Sequence, residues 1–269
     1  MRWARSATLA TVLVLGLGAS ACGSSSAASP SGGGSSSRPE ATPNPLTGSL
    51  TVFAAASLTE AFNDAKTTLQ SAHTGLSVTY SFAGSQALVT QVQNGAPADV
   101  IATADRATMQ KLVTAGLVDT PKTLVRNKLE IVVAPGNPKH LTGLTDFART
   151  DLKVILEDPS VPAGKYGRQA LQAQGVTATP VSLPLDVKSE LLAVEQGNAD
   201  VGIVYVTDVS SAGSAVTGVP IPDGQNVIAT YPIAVVKATS HTAAAQAFVD
   251  GMVTGTGQQA LLARGFLAP

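Results

Sequence analysis

The chain has 269 residues, of which 44% are apolar, 4% aromatic and 13% charged, and its 17 basic and 18 acidic side chains leave a net charge of −1. That balance offers no basic stripe, which excludes nucleic acid as a partner. The single cysteine excludes an internal disulfide, and so few aromatic rings argue against a sugar site built on stacking platforms.

Arg2 and Arg5 precede an apolar run over residues 7–17, and small residues then lead to Ala19-Ser20-Ala21-Cys22. A basic start, a short apolar stretch and a small-residue cleavage site make residues 1–21 a secretory signal. The run is too short to span a membrane comfortably. A lone cysteine directly after such a leader resembles the lipobox of bacterial lipoproteins, with Ala19 standing where leucine is commonest. The resemblance implies that Cys22 is lipidated, which would anchor an exported protein to the outer face of the cytoplasmic membrane. The following residues are Ser, Gly, Ala and Pro with almost no large apolar side chains. Such a stretch cannot bury enough surface to fold, so 22–48 reads as the lipidated cysteine and a flexible tether.

Strand-like and helix-like segments alternate from there to the end. Residues 51–53 read as a buried strand. Ser57 opens a helix that places Leu58, Ala61, Phe62, Ala65 and Leu69 on one face, with Ser57 and Glu60 fitting a capping box. Strands follow at 76–82, 98–103, 128–134, 154–156, 201–206 and 231–237. Helices fall at 85–94, 106–115, 164–174, 187–196, 243–253 and 258–263, and Gly95, Gly116, Gly175 and Gly197 close four of them. This alternation predicts an α/β protein with mostly parallel sheets flanked by helices.

Four helix starts share one construction. Ser57 follows a strand and three alanines; Gly84-Ser85 follows a second strand; Pro162-Ala163-Gly164 precedes the third helix; Asp186-Val187 opens the fourth. Tyr205 adds a hydroxyl at the carboxyl end of a strand. Ligands of open α/β sheets lie outside the carboxyl ends of strands, where helix N-termini present free N–H groups to anions. Ser57, Ser85 and Tyr205 offer neutral hydroxyls, and Ala163 and Val187 offer backbone N–H groups. Asp186 reads as a helix cap, and Lys165 and Lys188 as solvated side chains. All five groups are donors, with no carboxylate acceptor among them. Catalysis is a poorer reading: His73, His140 and His241 lie outside these motifs, so neither serine has a base, and no cluster has metal-ligand spacing. A purely structural or adhesive lipoprotein is the remaining alternative.

The segments FAAASL, FAGS, GAPADV, DPSVPAGKY, LDVK, VGIVY and YPIAVV stand in the order found in periplasmic molybdate-binding proteins, the substrate-binding subunits of molybdate ABC transporters. The chain resembles that family from about residue 50 to about residue 266. The resemblance implies a non-enzymatic receptor, without a cofactor, that holds molybdate or tungstate on Ser57, Ser85, Ala163, Val187 and Tyr205 and delivers it, as a monomer, to a membrane permease. It also implies a two-lobed type II periplasmic binding protein. Residues 49–128 with 230–269 would form one lobe and 129–229 the other, with the ligand in the cleft between them. Sulfate, a smaller dianion suited to the same donors, is the alternative cargo.

Overall fold

The computed structural model describes residues 47–269; the expected leader, Cys22 and nearly all of the expected tether lie outside the described residues. The chain from there runs β1 (Gly48–Ala55), α1 (Thr59–Ala72), β2 (Leu76–Ala83), α2 (Ser85–Gln93), β3 (Val100–Ala102), α3 (Arg106–Thr114) and β4 (Lys122–Asn127). It continues with β5 (Leu129–Val133), α4 (Pro162–Ala173), α5 (Val187–Glu195), β6 (Val201–Tyr205), α6 (Val206–Ala212), β7 (Thr217–Pro220), β8 (Ala229–Val235), α7 (Thr242–Thr254) and α8 (Thr256–Ala263). The first strand begins at Gly48, inside the stretch expected to be tether.

These strands form two sheets, one of five strands in the order β2-β1-β3-β8-β4 and one of three in the order β6-β5-β7. The expectation of mostly parallel sheets needs correction. β1 pairs in parallel with β2 and β3, but β8 runs antiparallel to both β3 and β4. In the smaller sheet β5 is antiparallel to both neighbours. The expected strand at 154–156 shrinks to two parallel bridges, Val154 to Val201 and Ile155 to Ser182. The physical cause is the chain's route. It leaves the larger sheet after β4, builds the smaller sheet, and re-enters as β8 against the direction of its new neighbours.

Side-chain alternation gives the larger sheet two buried faces. Leu50, Val52, Ala54, Val100, Ile233 and Val235 share a core with Phe62 and Leu69 of α1, Phe248 of α7 and Leu261 of α8. Phe53, Ile101 and Ala234 point the other way, onto Leu88 and Val92 of α2 and Met109 and Leu112 of α3. Helices on both faces leave the carboxyl ends of β1 and β2 open toward the half built on the smaller sheet. Gly95, Gly116, Gly175 and Gly197 have positive φ where α2, α3, α4 and α5 end, a conformation that glycine adopts without a Cβ penalty. Among the described residues no helix is long and apolar enough to cross a membrane.

A candidate oxyanion site at four helix starts

A small pocket with a cavity volume of about 20 Å³ lies where the two halves meet, and Ser57, Ser85, Ala163, Val187 and Tyr205 all line it. Its size suits a ligand of a few heavy atoms rather than a drug-sized one. The five residues come from both halves of the chain and are buried, Ser57 and Val187 at 4% exposure and the others at 1%.

Ser57 arrives differently from the sequence expectation. It sits in a 3-10 turn, Ala56–Leu58, and α1 starts only at Thr59 with no side-chain cap. The capping box with Glu60 is therefore absent. Thr59 Oγ1 instead donates to the carbonyl of Ala56 at 2.6 Å, and Ser57 Oγ lies 3.0 Å from Tyr231 Oη on β8. Ser85 is the first residue of α2, and its Oγ accepts the N–H of Ala104 at 3.0 Å. That bond occupies an acceptor position and leaves the hydroxyl proton free to donate toward the pocket.

Ala163 and Val187 occupy the second and first positions of α4 and α5, where N–H groups have no acceptor within the helix. Asp186 acts as the expected cap: Oδ1 accepts the Ser189 N–H and Oδ2 the Ser189 hydroxyl, both at 2.9 Å. Tyr205 ends β6, and its hydroxyl is buried without a hydrogen-bond partner. Burial, with Tyr231 and Glu157 alongside, pushes the Tyr205 phenol well above its ordinary value, so it stays protonated and able to donate. The pocket thus gathers neutral hydroxyls and helix N-termini, which together form a receptacle for a small anion.

Two lysines need revision. Lys188 is not a solvated side chain: Nζ lies 2.9 Å from Glu60 Oε2 on α1 and 3.1 Å from Asp208 Oδ1 on α6. Asp208 is fully buried, and burial raises its pKa while Lys188 opposes the rise. Lys165 keeps about half its side chain in solvent but stands 3.5 Å from Asp105 at the start of α3. Sequence reasoning also missed Tyr231 and Glu157. Tyr231 stood within YPIAVV, where a buried tyrosine requires a partner for its hydroxyl. Glu157 also lines the pocket, a carboxyl beside the five expected donors. The available signal was a charged side chain ending an apolar strand just before a helix start.

The described residues hold no group of three or more His, Cys, Asp or Glu able to bind a metal ion. A family model of bacterial extracellular solute-binding proteins matches residues 50–267. The chain belongs to that family. This solute-binding protein is 39% identical to the molybdate-binding protein ModA of Mycobacterium tuberculosis H37Rv over 270 residues, covering all of both chains. Its fold matches the sulfate-binding protein SubI of Mycobacterium tuberculosis H37Rv with a TM-score of 0.73 at 24% identity, over 81% of this chain and 86% of that one. It also matches the periplasmic molybdate-binding protein of Azotobacter vinelandii with a TM-score of 0.68 at 21% identity, over 82% of this chain and 99% of that one. The architecture is the two-lobed α/β fold of type II periplasmic binding proteins. Its family is one of solute-binding proteins, and the chain is a binding protein rather than an enzyme.

Proposed function

We propose that this solute-binding protein captures molybdate, and tungstate with similar affinity, outside the cytoplasmic membrane and delivers it to the permease of a molybdate ABC transporter. One observation carries the reading: donors from both halves of the chain meet in one small buried pocket. The 39% identity to a full-length molybdate-binding relative supports molybdate as the cargo. In this reading Ser57 and Ser85 bind the oxyanion from the first lobe, 49–128 with 230–269. Ala163, Val187 and Tyr205 bind it from the second, 129–229. Only the closed arrangement presents all five donors together, so the ligand favours closure. Lipidation of Cys22 would hold the monomeric receptor at the membrane, with the residues between Cys22 and Gly48 as its tether. Cys22→Ala is expected to release it from the membrane fraction with ligand affinity unchanged.

A site of donors selects a fully deprotonated dianion. A phosphate that keeps a proton would bury an O–H with no acceptor among the five donors, at a cost of about 1–3 kcal/mol. Sulfate has the right charge but is too small to reach the donors of both lobes together. Because the donors are neutral, affinity is expected to vary little with salt. Calorimetric titration with molybdate, tungstate, sulfate and phosphate tests the proposal. Tight binding of the first two, weak binding of sulfate and none of phosphate is the expected result. Sulfate or phosphate binding as tightly as molybdate would overturn it.

A further inference from the structure

Glu157 is one of two carboxyls lining the pocket; Asp186 is occupied as the cap of α5, but the five-donor reading gives Glu157 no role. It is 1% exposed and lines the pocket beside Ala163 and Tyr205. Its Oε2 accepts the N–H of Gly164, in the first turn of α4, at 3.2 Å. Its Oε1 is buried with no hydrogen-bond partner, as is the hydroxyl of Tyr205. Two orphaned polar atoms on one small pocket are a cost in the folded protein unless a ligand satisfies them.

A second buried carboxyl decides the protonation state of the first. Glu190 on α5 is fully buried, and both its oxygens are occupied: Oε2 accepts the N–H of Glu157 at 2.7 Å and Oε1 the N–H of Ile203 at 2.6 Å. The fold makes room for this group. A Cβ on Gly202 would lie 2.5 Å from Glu190 Oε1. Two neighbouring buried carboxyls do not both ionise readily, and the one with more N–H donors ionises first. That one is Glu190, with two donors and the Arg168 guanidinium nearby. Glu157 has one, and the groups around it favour its neutral form: Glu190 and Asp186 from α5 and Asp208 from α6. Tyr205 on β6 is neutral, and Lys188 is engaged with Asp208 and Glu60. Arg168 on α4 gives its guanidinium to the backbone carbonyls of Glu157 and Gly164 rather than to the carboxyl.

We infer that Glu157 is a sixth oxyanion ligand, a carboxyl that keeps its proton and donates it through Oε1 to the bound dianion beside Tyr205. The inference rests on the oxyanion reading of this pocket. A carboxyl held neutral so that it can donate is a known device of buried polar sites. Here it makes occupancy conditional on a proton, because an ionised Glu157 would face the dianion with like charge.

The test combines infrared spectroscopy of the full folded protein with calorimetry, using molybdate as the probe. The wild type at neutral pH is expected to show a carboxylic C=O band that is missing in Glu157→Gln and moves to lower frequency when molybdate is added. Glu157→Gln, whose amide also donates, is expected to bind molybdate within a few-fold of wild type. Glu157→Ala is expected to bind about tenfold more weakly or worse. As pH rises, wild-type affinity is expected to fall with the same midpoint as the band, and Glu157→Gln to lose that dependence. Absence of the band at neutral pH, or a band that molybdate does not move, overturns the inference while molybdate binding itself leaves the cargo reading standing. No binding of molybdate or tungstate at any pH overturns the cargo reading and this inference together.

Discussion

The three hydroxyls of the pocket differ in what else they hold, so their removal has different consequences. Ser85 Oγ accepts the Ala104 N–H, and Ser57 Oγ bonds Tyr231 Oη. On the proposed reading, truncating either serine removes a donor to an anion, and it strands a buried partner. Each loss costs about 1–3 kcal/mol, so Ser57→Ala and Ser85→Ala are expected to weaken molybdate binding tenfold or more and also to lower Tm. Tyr205→Phe removes a hydroxyl that has no protein partner, so it is expected to weaken binding with Tm unchanged. Calorimetry and thermal melts on the three variants check this. A Tm loss in Tyr205→Phe equal to that in Ser85→Ala would contradict it. The buried carboxyls set the pH dependence of stability. In the unfolded chain a glutamate loses its proton near about pH 4.3. Burial raises Glu157 well above that and pushes Glu190 up to about 8. Between those values the folded protein holds more protons than the unfolded chain, so stability falls as pH rises. Asp99 is shifted the other way: bonds from Thr239, the Thr51 N–H and His241 outweigh its burial and lower its pKa. Its contribution is present above the unfolded aspartate value and lost as pH falls through the folded one. Melting temperature is therefore expected to peak at mildly acidic pH, and Glu190→Gln to flatten the alkaline decline.

At the scale of elements, the helix starts build the site, and they were also the most legible part of the sequence. Glycines past helix ends and Asp186 before α5 are local signals, and each holds, whereas α4 starts at Pro162, two residues before the expected Gly164. Ser57 misled because the S-x-x-E pattern describes spacing only. The three alanines before it let the chain tighten into a 3-10 turn, and Thr59 takes the helix start. β4 escaped detection because KTLVRN carries charge near both ends. Its strand character comes from pairing with β8, far away in sequence. α6 is VTDVSSA, rich in β-branched and serine residues that favour helix weakly. It is held by the buried Asp208, whose Oδ2 accepts the Tyr205 N–H at 3.3 Å. Glu157 and Tyr231 carried local signals, but their place at the site depends on distant elements converging on them. Gly84 offers a test at this scale. Its φ of −57° suits any residue, but a Cβ there would lie 2.1 Å from the carbonyl oxygen of Leu185 in the opposite half. Gly84→Ala is expected to leave Tm of the ligand-free protein near wild type while weakening molybdate binding at least tenfold, by calorimetry. Unchanged affinity would show that the two segments need not approach so closely.

Across the whole molecule, the contacts between the half built on the larger sheet and the half built on the smaller one include three near the helix starts, besides the Asn127–Thr207 hydrogen bond and the Tyr205–Tyr231 ring contact. Gln86 Nε2 donates to the Leu185 carbonyl at 3.0 Å, Lys165 faces Asp105 at 3.5 Å, and Lys188 bonds Glu60 at 2.9 Å. The Lys188 pair is partly exposed, which limits its worth to about 1 kcal/mol or less. Glu60→Gln keeps Lys188 beside Asp208 and loosens only the link to α1. It is expected to speed molybdate dissociation severalfold in stopped-flow measurements, with the association rate little changed. Equal dissociation rates would remove this pair from the closing contacts. All three contacts join protein to protein, so they add to whatever grip the cargo itself provides. The ion's dwell time is then set by how often the two halves part. On the proposed reading, a permease that parts the two halves would shorten that dwell time, so unloading at the membrane would be mechanical work on the receptor's shape.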